Sequence, residues 1–232
     1  MLSHSHRILI GAAGWLHKDW QSSFYPDDLP ADWLLGYYSN EFPVVLIPAA
    51  TWPGIKTEIH EWLEDSADEL LILCEAAPAL LAQPADSAVS ALQEYIAELS
   101  VLAEHLLGVL IPVDHQCPDI ASILTNLQSP VPLCIELQYE VSEAELTNLQ
   151  NICVNKKIGI CWHGRSDTTG LSYGQLAVSR IQGKGLNLRE LREVVESIVN
   201  VTKLEQSSVL IIDGNPPDIE TIRNANVILE LI

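Results

Sequence analysis

Apolar residues along the chain fall into two patterns that alternate: short, mostly apolar runs, and longer stretches in which they recur at three and four. Arg7–Gly11, Val44–Ile47, Leu70–Cys74, Gly108–Ile111, Leu133–Leu137, Ile158–Trp162, Leu176–Gln182 and Val209–Ile212 are of the first kind. Leu70–Cys74 shows it most plainly: a short apolar run without polar alternation is what a strand covered on both faces requires. The helical patterns lie between these runs. Pro30 suits the first turn of a helix reaching about Asn40. Pro53-Gly54 breaks the chain ahead of a helix near Ile55–Glu64. Asp86 is placed to cap a helix whose apolar face is Val89, Leu92, Ile96, Leu99 and Leu102. Further helices are expected near Pro118–Leu127, from Ser142 to about Ile152, after Asn187, and over Asp218–Ala225, with Val227-Ile228-Leu229 closing the chain. Ser142 with Glu145, and Asn187 with Glu190, have capping-box spacing. Gly164–Tyr173 is polar and contains glycine, so it reads as loop.

Eight strands alternating with six or seven helices, with no internal linker, argue for parallel strands joined by crossover helices. Eight such units predict a single (β/α)8 TIM-like barrel spanning residues 1–232. The chain is short for that fold, so shortened βα loops are expected. The first of them, Gly11-Ala12-Ala13-Gly14, lacks G-x-G-x-x-G spacing and opens no helix directly, which argues against a dinucleotide site.

Composition narrows the function classes. The chain is 48% apolar and 19% charged, an ordinary globular balance. A domain of this length buries roughly 70–75% of its unfolded surface and needs no staples. No apolar run approaches the ~18 residues of a membrane span. Ile8–Gly14 is short, and Gly-Trp follows where a signal peptide would be cleaved, so a cytoplasmic protein is expected. The five cysteines are odd in number and form no C-x-x-C pair; they read as reduced thiols in the core, with no metal. Asp114-His115-Gln116-Cys117 has the look of half a metal cluster without its other half. The net charge is −19, and residues 1–150 hold all of the excess, with three bases against twenty-two acids. That field repels phosphate backbones and disfavours nucleic acid. No motif implies a cofactor or identifies a protein partner.

The most distinctive stretch is the first strand and the loop leaving it, with Gly11, Gly14, Trp15, Trp20, Phe24, Tyr25, Pro26, Leu29 and Pro30, continued by Tyr37-Tyr38 and Phe42. It resembles the opening of the YecE-like family, domain of unknown function seventy-two. The resemblance extends at low density through Trp52, Trp62, Pro78, Leu107-Gly108, Ile135-Glu136, Arg180-Ile181, Gly183 and Asn224-Ala225. It implies a TIM-like barrel and carries over no settled activity. Several polar positions of the family pattern are changed. After strand two an acid and an amide are replaced by Leu46 and Pro48, and Glu75 stands where strand three ends in lysine. Gln138-Tyr139 stands where the family has Arg-His, and Gln182 where it has a histidine. These positions lie at the carboxyl ends of strands, where barrel active sites sit. The resemblance therefore implies a mouth stripped of most ionisable groups, and a non-catalytic binding or interaction protein.

The alternative is an enzyme acting on a small anionic or sugar-like, phosphorylated substrate at the C-terminal mouth. Glu136 would then be the acid/base and Arg180 would hold charge, assisted by Asp213 or His163. Glu136 and Arg180 serve equally well as a buried structural pair. Trp15, His17, Lys18 and Trp20 suggest either an indole platform for a ligand or a loop packed by its own aromatics, and Trp52 borders the same mouth. Arg165, Arg180 and Lys184, with Arg189 and Arg192 beyond them, suggest an anion site at the helix that follows Gly183-Lys184-Gly185. Arg189 and Arg192 can instead pair along the helix with Glu193 and Glu196.

Overall fold

The computed structural model describes residues 8–164, 168–203 and 205–232; Arg7 and Arg165 lie outside them. Eight parallel strands pair in the order β6-β5-β4-β3-β2-β1-β8-β7. They are β1 (Ile8–Ala13), β2 (Val44–Ile47), β3 (Leu71–Glu75), β4 (Leu106–Val113), β5 (Leu133–Leu137), β6 (Gly159–Ile160), β7 (Leu176–Gln182) and β8 (Ser207–Asp213). The two end strands meet just beyond β6. Trp162 N–H donates to the Val178 carbonyl, and Arg180 N–H donates to the Trp162 carbonyl at 2.9 Å. The sheet is thereby closed into a (β/α)8 TIM-like barrel.

Helices cover the outside: α1 (Leu34–Ser39), α2 (Trp52–Ile55), α3 (Ile59–Glu64), α4 (Ala85–Glu98), α5 (Ile120–Asn126), α6 (Glu143–Lys156), α7 (Leu188–Val201) and α8 (Ile219–Glu230). Two apolar layers result. One lies between strands and helices and takes residues such as Ile10, Val45, Ile72, Ile135 and Ile212. The other fills the barrel with Leu9, Ala13, Val44, Leu46, Leu73, Leu110, Cys134, Cys161, Leu176, Val178, Val209 and Ile211. Alternate residues of each strand enter the two layers, which explains why the runs are mostly apolar on both faces.

Several boundaries differ from the sequence expectation for identifiable reasons. Pro53-Gly54 does not precede a helix but lies within α2, because proline in a first turn gives up an N–H that has no partner anyway. The single helix expected near Ile55–Glu64 is two short ones. Pro84, not Asp86, is the N-cap of α4, and Asp86 lies inside its first turn. Leu99 and Leu102 belong to a following 3-10 segment, Leu99–His105. Ser142 caps α6 from its side chain, but Glu145 accepts a hydrogen bond from the Tyr139 hydroxyl at 2.7 Å. The Asn187/Glu190 box is present in both directions. Asp218 is the N-cap of α8, which runs on through Val227, Ile228 and Leu229 to Glu230. Glu75 and Asp213 are the last residues of β3 and β8, each one position beyond the apolar run of its strand.

Between β1 and β2 a side chain joins the ladder. The buried Tyr38 hydroxyl accepts from Ala12 N–H and donates to the Val44 carbonyl, both at 2.8 Å. Gly11 makes room for this approach, since a Cβ there would meet the Val44 carbonyl oxygen at 1.8 Å. Tyr38→Phe keeps the ring and strands one buried donor and one buried acceptor, each costing about 1–3 kcal/mol. The variant is expected to lose about 2–6 kcal/mol in urea unfolding. Tyr37→Phe, on the more exposed neighbour, is expected to stay within about 0.5 kcal/mol of the parent.

Candidate functional site

The residues above the apolar barrel core continue its alternation. Two positions beyond Leu73, Cys134, Cys161, Val178 and Ile211 stand Glu75, Glu136, His163, Arg180 and Asp213. The same strand geometry that points the aliphatic residues inward therefore converges these five on the carboxyl-end mouth. On the β1 and β2 side the corresponding positions are Ala13 and Pro48, so the charged groups occupy one sector.

Arg180 is the hub. Its Nη1 donates to Glu75 Oε1 at 2.7 Å and to Glu136 Oε2 at 3.1 Å, and its Nε donates to Asp213 Oδ2 at 2.8 Å. Its side chain is 17% exposed and that of Glu136 3%. Burial works against the guanidinium charge, but Glu136, Glu75 and Asp213 together outweigh it and raise the Arg180 pKa. The carboxylates have other partners too. Glu75 Oε2 accepts from Ala49 N–H at 3.0 Å, Glu136 Oε2 from Gln138 Nε2 at 3.1 Å, and Asp213 Oδ1 from Gly214 N–H at 2.7 Å. One guanidinium against three carboxylates leaves two negative charges uncompensated when all three are ionised.

His163 completes the group. Its Nδ1 lies 3.2 Å from the Arg180 carbonyl, and its Nε2 lies 3.7 Å from Glu136 Oε1. A carbonyl only accepts, so Nδ1 carries the proton in that contact and Nε2 is turned to the carboxylate. Cys161 sits one layer below, where burial pushes its thiol well above the usual range. A cleft of about 570 Å³ opens over this sector, lined by Glu136, Gln138, His163, Arg180, Gln182 and Asp213, with Leu186 and Val194 on the apolar side. The mouth is not stripped of ionisable groups, contrary to the expectation drawn from Leu46 and Pro48. Leu46 is a barrel-core residue, and the charges stand on other strands.

The remaining candidates lie elsewhere. Trp15, Trp20 and Trp52 are buried, so the indoles form no exposed platform. Trp20 Nε1 donates to the Pro217 carbonyl at 3.0 Å, and its ring packs with Phe24, Tyr25 and Tyr38. The first loop is thus packed by its own aromatics. His17 packs on Trp20, with Nε2 2.9 Å from the Ala13 carbonyl, and burial lowers its pKa below the usual value. Lys18 is exposed. Lys184 borders a second cleft of about 510 Å³ that it shares with Asp19, Asp218, Glu220 and Arg223. Arg189 and Arg192 pair with Glu193 and Glu196 along α7. The first N–H groups of α7 are taken by Asn187, whose own N–H is taken by Glu190. Among the described residues, Asp114, His115 and Cys117 form no convergent metal group, whereas Glu136, Cys161 and His163 do. Sequence reasoning put Glu75 at the carboxyl end of its strand without giving it a role and did not place Cys161 in the site, although the parity of their strands was a usable signal.

Fold and mouth together define a TIM-like barrel with a polar carboxyl-end cleft. The family model described as "Protein of unknown function DUF72" matches residues 9–232, and the chain belongs to that family. A crystal structure of a DUF72 family protein from Enterococcus faecalis V583 superposes with a TM-score of 0.61 at 13% identity, covering 98% of each chain. At that identity the likeness speaks for the fold. No functionally curated protein matches the chain, and no helix among the described residues is long and apolar enough to cross a membrane.

Removing the hub should expose how the network is balanced. Arg180→Met strands three acids that faced a cation, and breaking a buried pair this way costs about 3–5 kcal/mol. The loss is expected toward the lower end, because the site is partly open. Adding Glu136→Gln should restore part of it, so a double-mutant cycle in urea gives a coupling energy well above zero.

Proposed function

We propose that this protein is a small-molecule binding protein, and that its ligand is rich in hydrogen-bond donors, neutral or positively charged. The observation that carries this reading is the capture of Arg180 by three carboxylates. A guanidinium held in this way is already neutralised and offers an incoming phosphate or carboxylate little attraction. The cleft instead presents acceptor oxygens of Glu136 and Asp213, and the amides of Gln138 and Gln182, to whatever enters. An anion would meet the two uncompensated charges of the cluster in a low-dielectric setting, where repulsion is strongest. The anion expected at Lys184 fares no better, since acids share that cleft and the start of α7 is capped from within.

A non-catalytic role accords with the two or more hydrogen bonds that each carboxylate accepts from within the protein, which fix its position and leave its remaining lone pairs to a ligand. A group locked in that way is poorly placed to exchange a proton with a ligand. The enzyme reading draws its support from His163. Its side chain is 46% exposed at the cleft and lies against Glu136. In that reading Glu136 and His163 exchange the proton while Arg180 and Asp213 hold the charge.

Thermal unfolding with a matched panel tests the proposal: neutral sugars and diamines against their phosphorylated or carboxylated counterparts. A ligand at a hundred times its Kd stabilises by about 2.7 kcal/mol. Donor-rich members are expected to raise Tm and Glu136→Gln to abolish the shift. Stabilisation confined to the phosphorylated members would overturn the proposal.

A further inference from the structure

We propose that Glu136, Cys161 and His163 form a binding site for a zinc-type divalent cation, with its open coordination position facing the cleft. This goes beyond the small-molecule reading and does not depend on it. The three side chains stand on neighbouring backbone. Cys161 and His163 are two residues apart on the extended segment leaving β6, and so share a face. Glu136 is their neighbour on β5, where the Cys161 N–H donates to the Ile135 carbonyl at 2.7 Å. One donor atom from each lies within 4.8 Å of the others.

The outer contacts are those of a prepared ligand set. A metal-bound imidazole usually gives its second ring nitrogen to a carbonyl or carboxylate, which fixes the ring and frees the other nitrogen for the metal. His163 does this: Nδ1 meets the Arg180 carbonyl at 3.2 Å, leaving Nε2 inward. A ligating carboxylate is likewise held from outside. Glu136 Oε2 accepts from Arg180 Nη1 and Gln138 Nε2, leaving Oε1 toward His163. The 3.7 Å between His163 Nε2 and Glu136 Oε1 is long for a hydrogen bond. It is close to the roughly 3.3–3.7 Å that separates nitrogen and oxygen ligands on a tetrahedral zinc.

Charge and donor type agree. With its three carboxylates ionised, the Arg180 cluster has two negative charges to spare in a mostly buried sector; the Cys161 thiol adds a third when it gives its proton to solvent and binds, and a dication offsets two of the three. Sulfur and imidazole donors select zinc or cobalt over magnesium or calcium, which take oxygen. Three protein ligands with a fourth position open is the arrangement that leaves room for water or a ligand on the metal.

Cobalt(II) added to chelator-treated, reduced protein reads the site directly. The expected result is one equivalent bound, with visible bands of tetrahedral cobalt and a sulfur-to-cobalt charge-transfer band in the near ultraviolet, all displaced by zinc. Losing an outer contact at such sites costs about 10–100-fold in affinity, so removing a ligand should cost at least ~100-fold. His163→Ala, at an exposed side chain that the fold does not need, and Glu136→Gln should both show that loss. Cys161→Ser should remove the charge-transfer band, and Cys117→Ser should leave it. No saturable binding by the parent, binding unchanged in His163→Ala, or a band that follows Cys117 would each overturn the proposal. No organic ligand enters this titration, so its failure leaves the small-molecule reading standing, and failure of the ligand panel leaves the metal site standing.

Discussion

A single guanidinium organises the carboxyl end of this barrel. Arg180 rises from β7 and binds carboxylates from β3, β5 and β8, so one side chain ties four strands across the mouth. Each carboxylate alone would be costly at such low exposure, and each is tolerated because the others share the same cation. The backbone of Arg180 is used as well. Its N–H helps to close the sheet onto Trp162, and its carbonyl positions His163. Closure of the barrel and construction of the polar mouth are therefore the same event, since the residue through which β6 and β7 meet is the one whose side chain binds Glu75, Glu136 and Asp213.

The fold was legible because its signal is periodic. Eight apolar runs and the helical patterns between them follow from burying one layer inside the barrel and another beneath the helices. The boundaries were less legible because they are set by local competition. Pro53 enters a first turn, Glu145 turns to the Tyr139 hydroxyl, and α8 runs past Ala225 because Ile228 and Leu229 still find an apolar surface to pack on. Glu136, His163, Arg180 and Asp213 could be read as mouth residues from their places at strand ends. Their partnership could not, because it depends on which strands become neighbours on closure and on how far each protrudes. Glu75 shows the difficulty. In the linear chain it reads as a substitution, and only the closed barrel shows that it answers Arg180 from 105 residues away.

The stretch that makes the chain recognisable proved to be architecture. Trp15, Trp20, Phe24, Tyr25, Tyr38 and Phe42 are all buried. Three of their polar tips are spent on backbone: Tyr25 on the Trp15 carbonyl, Trp20 on the Pro217 carbonyl, and Tyr38 on the Ala12 N–H and the Val44 carbonyl. An aromatic-rich loop offers large apolar area at low conformational cost, which suits a wall that joins β1 to the β8–α8 connection as well as it suits a ligand platform. Hydrogen bonding of the tips decides between the two, and sequence does not display it.

What the mouth can hold follows from its charge balance more than from its shape. The chain is acidic overall, but a diffuse surface charge is screened within about 8–10 Å at ordinary salt. The cluster below the cleft is only slightly exposed and is screened far less. Its excess negative charge therefore acts at short range on whatever enters, and favours a donor or a cation over an anion whatever the far surface carries. Seen alone, Arg180 is an attractive positive centre. Seen with Glu75, Glu136 and Asp213 it is the counter-ion of its own pocket, and the chemistry still unsatisfied there is that of the carboxylates.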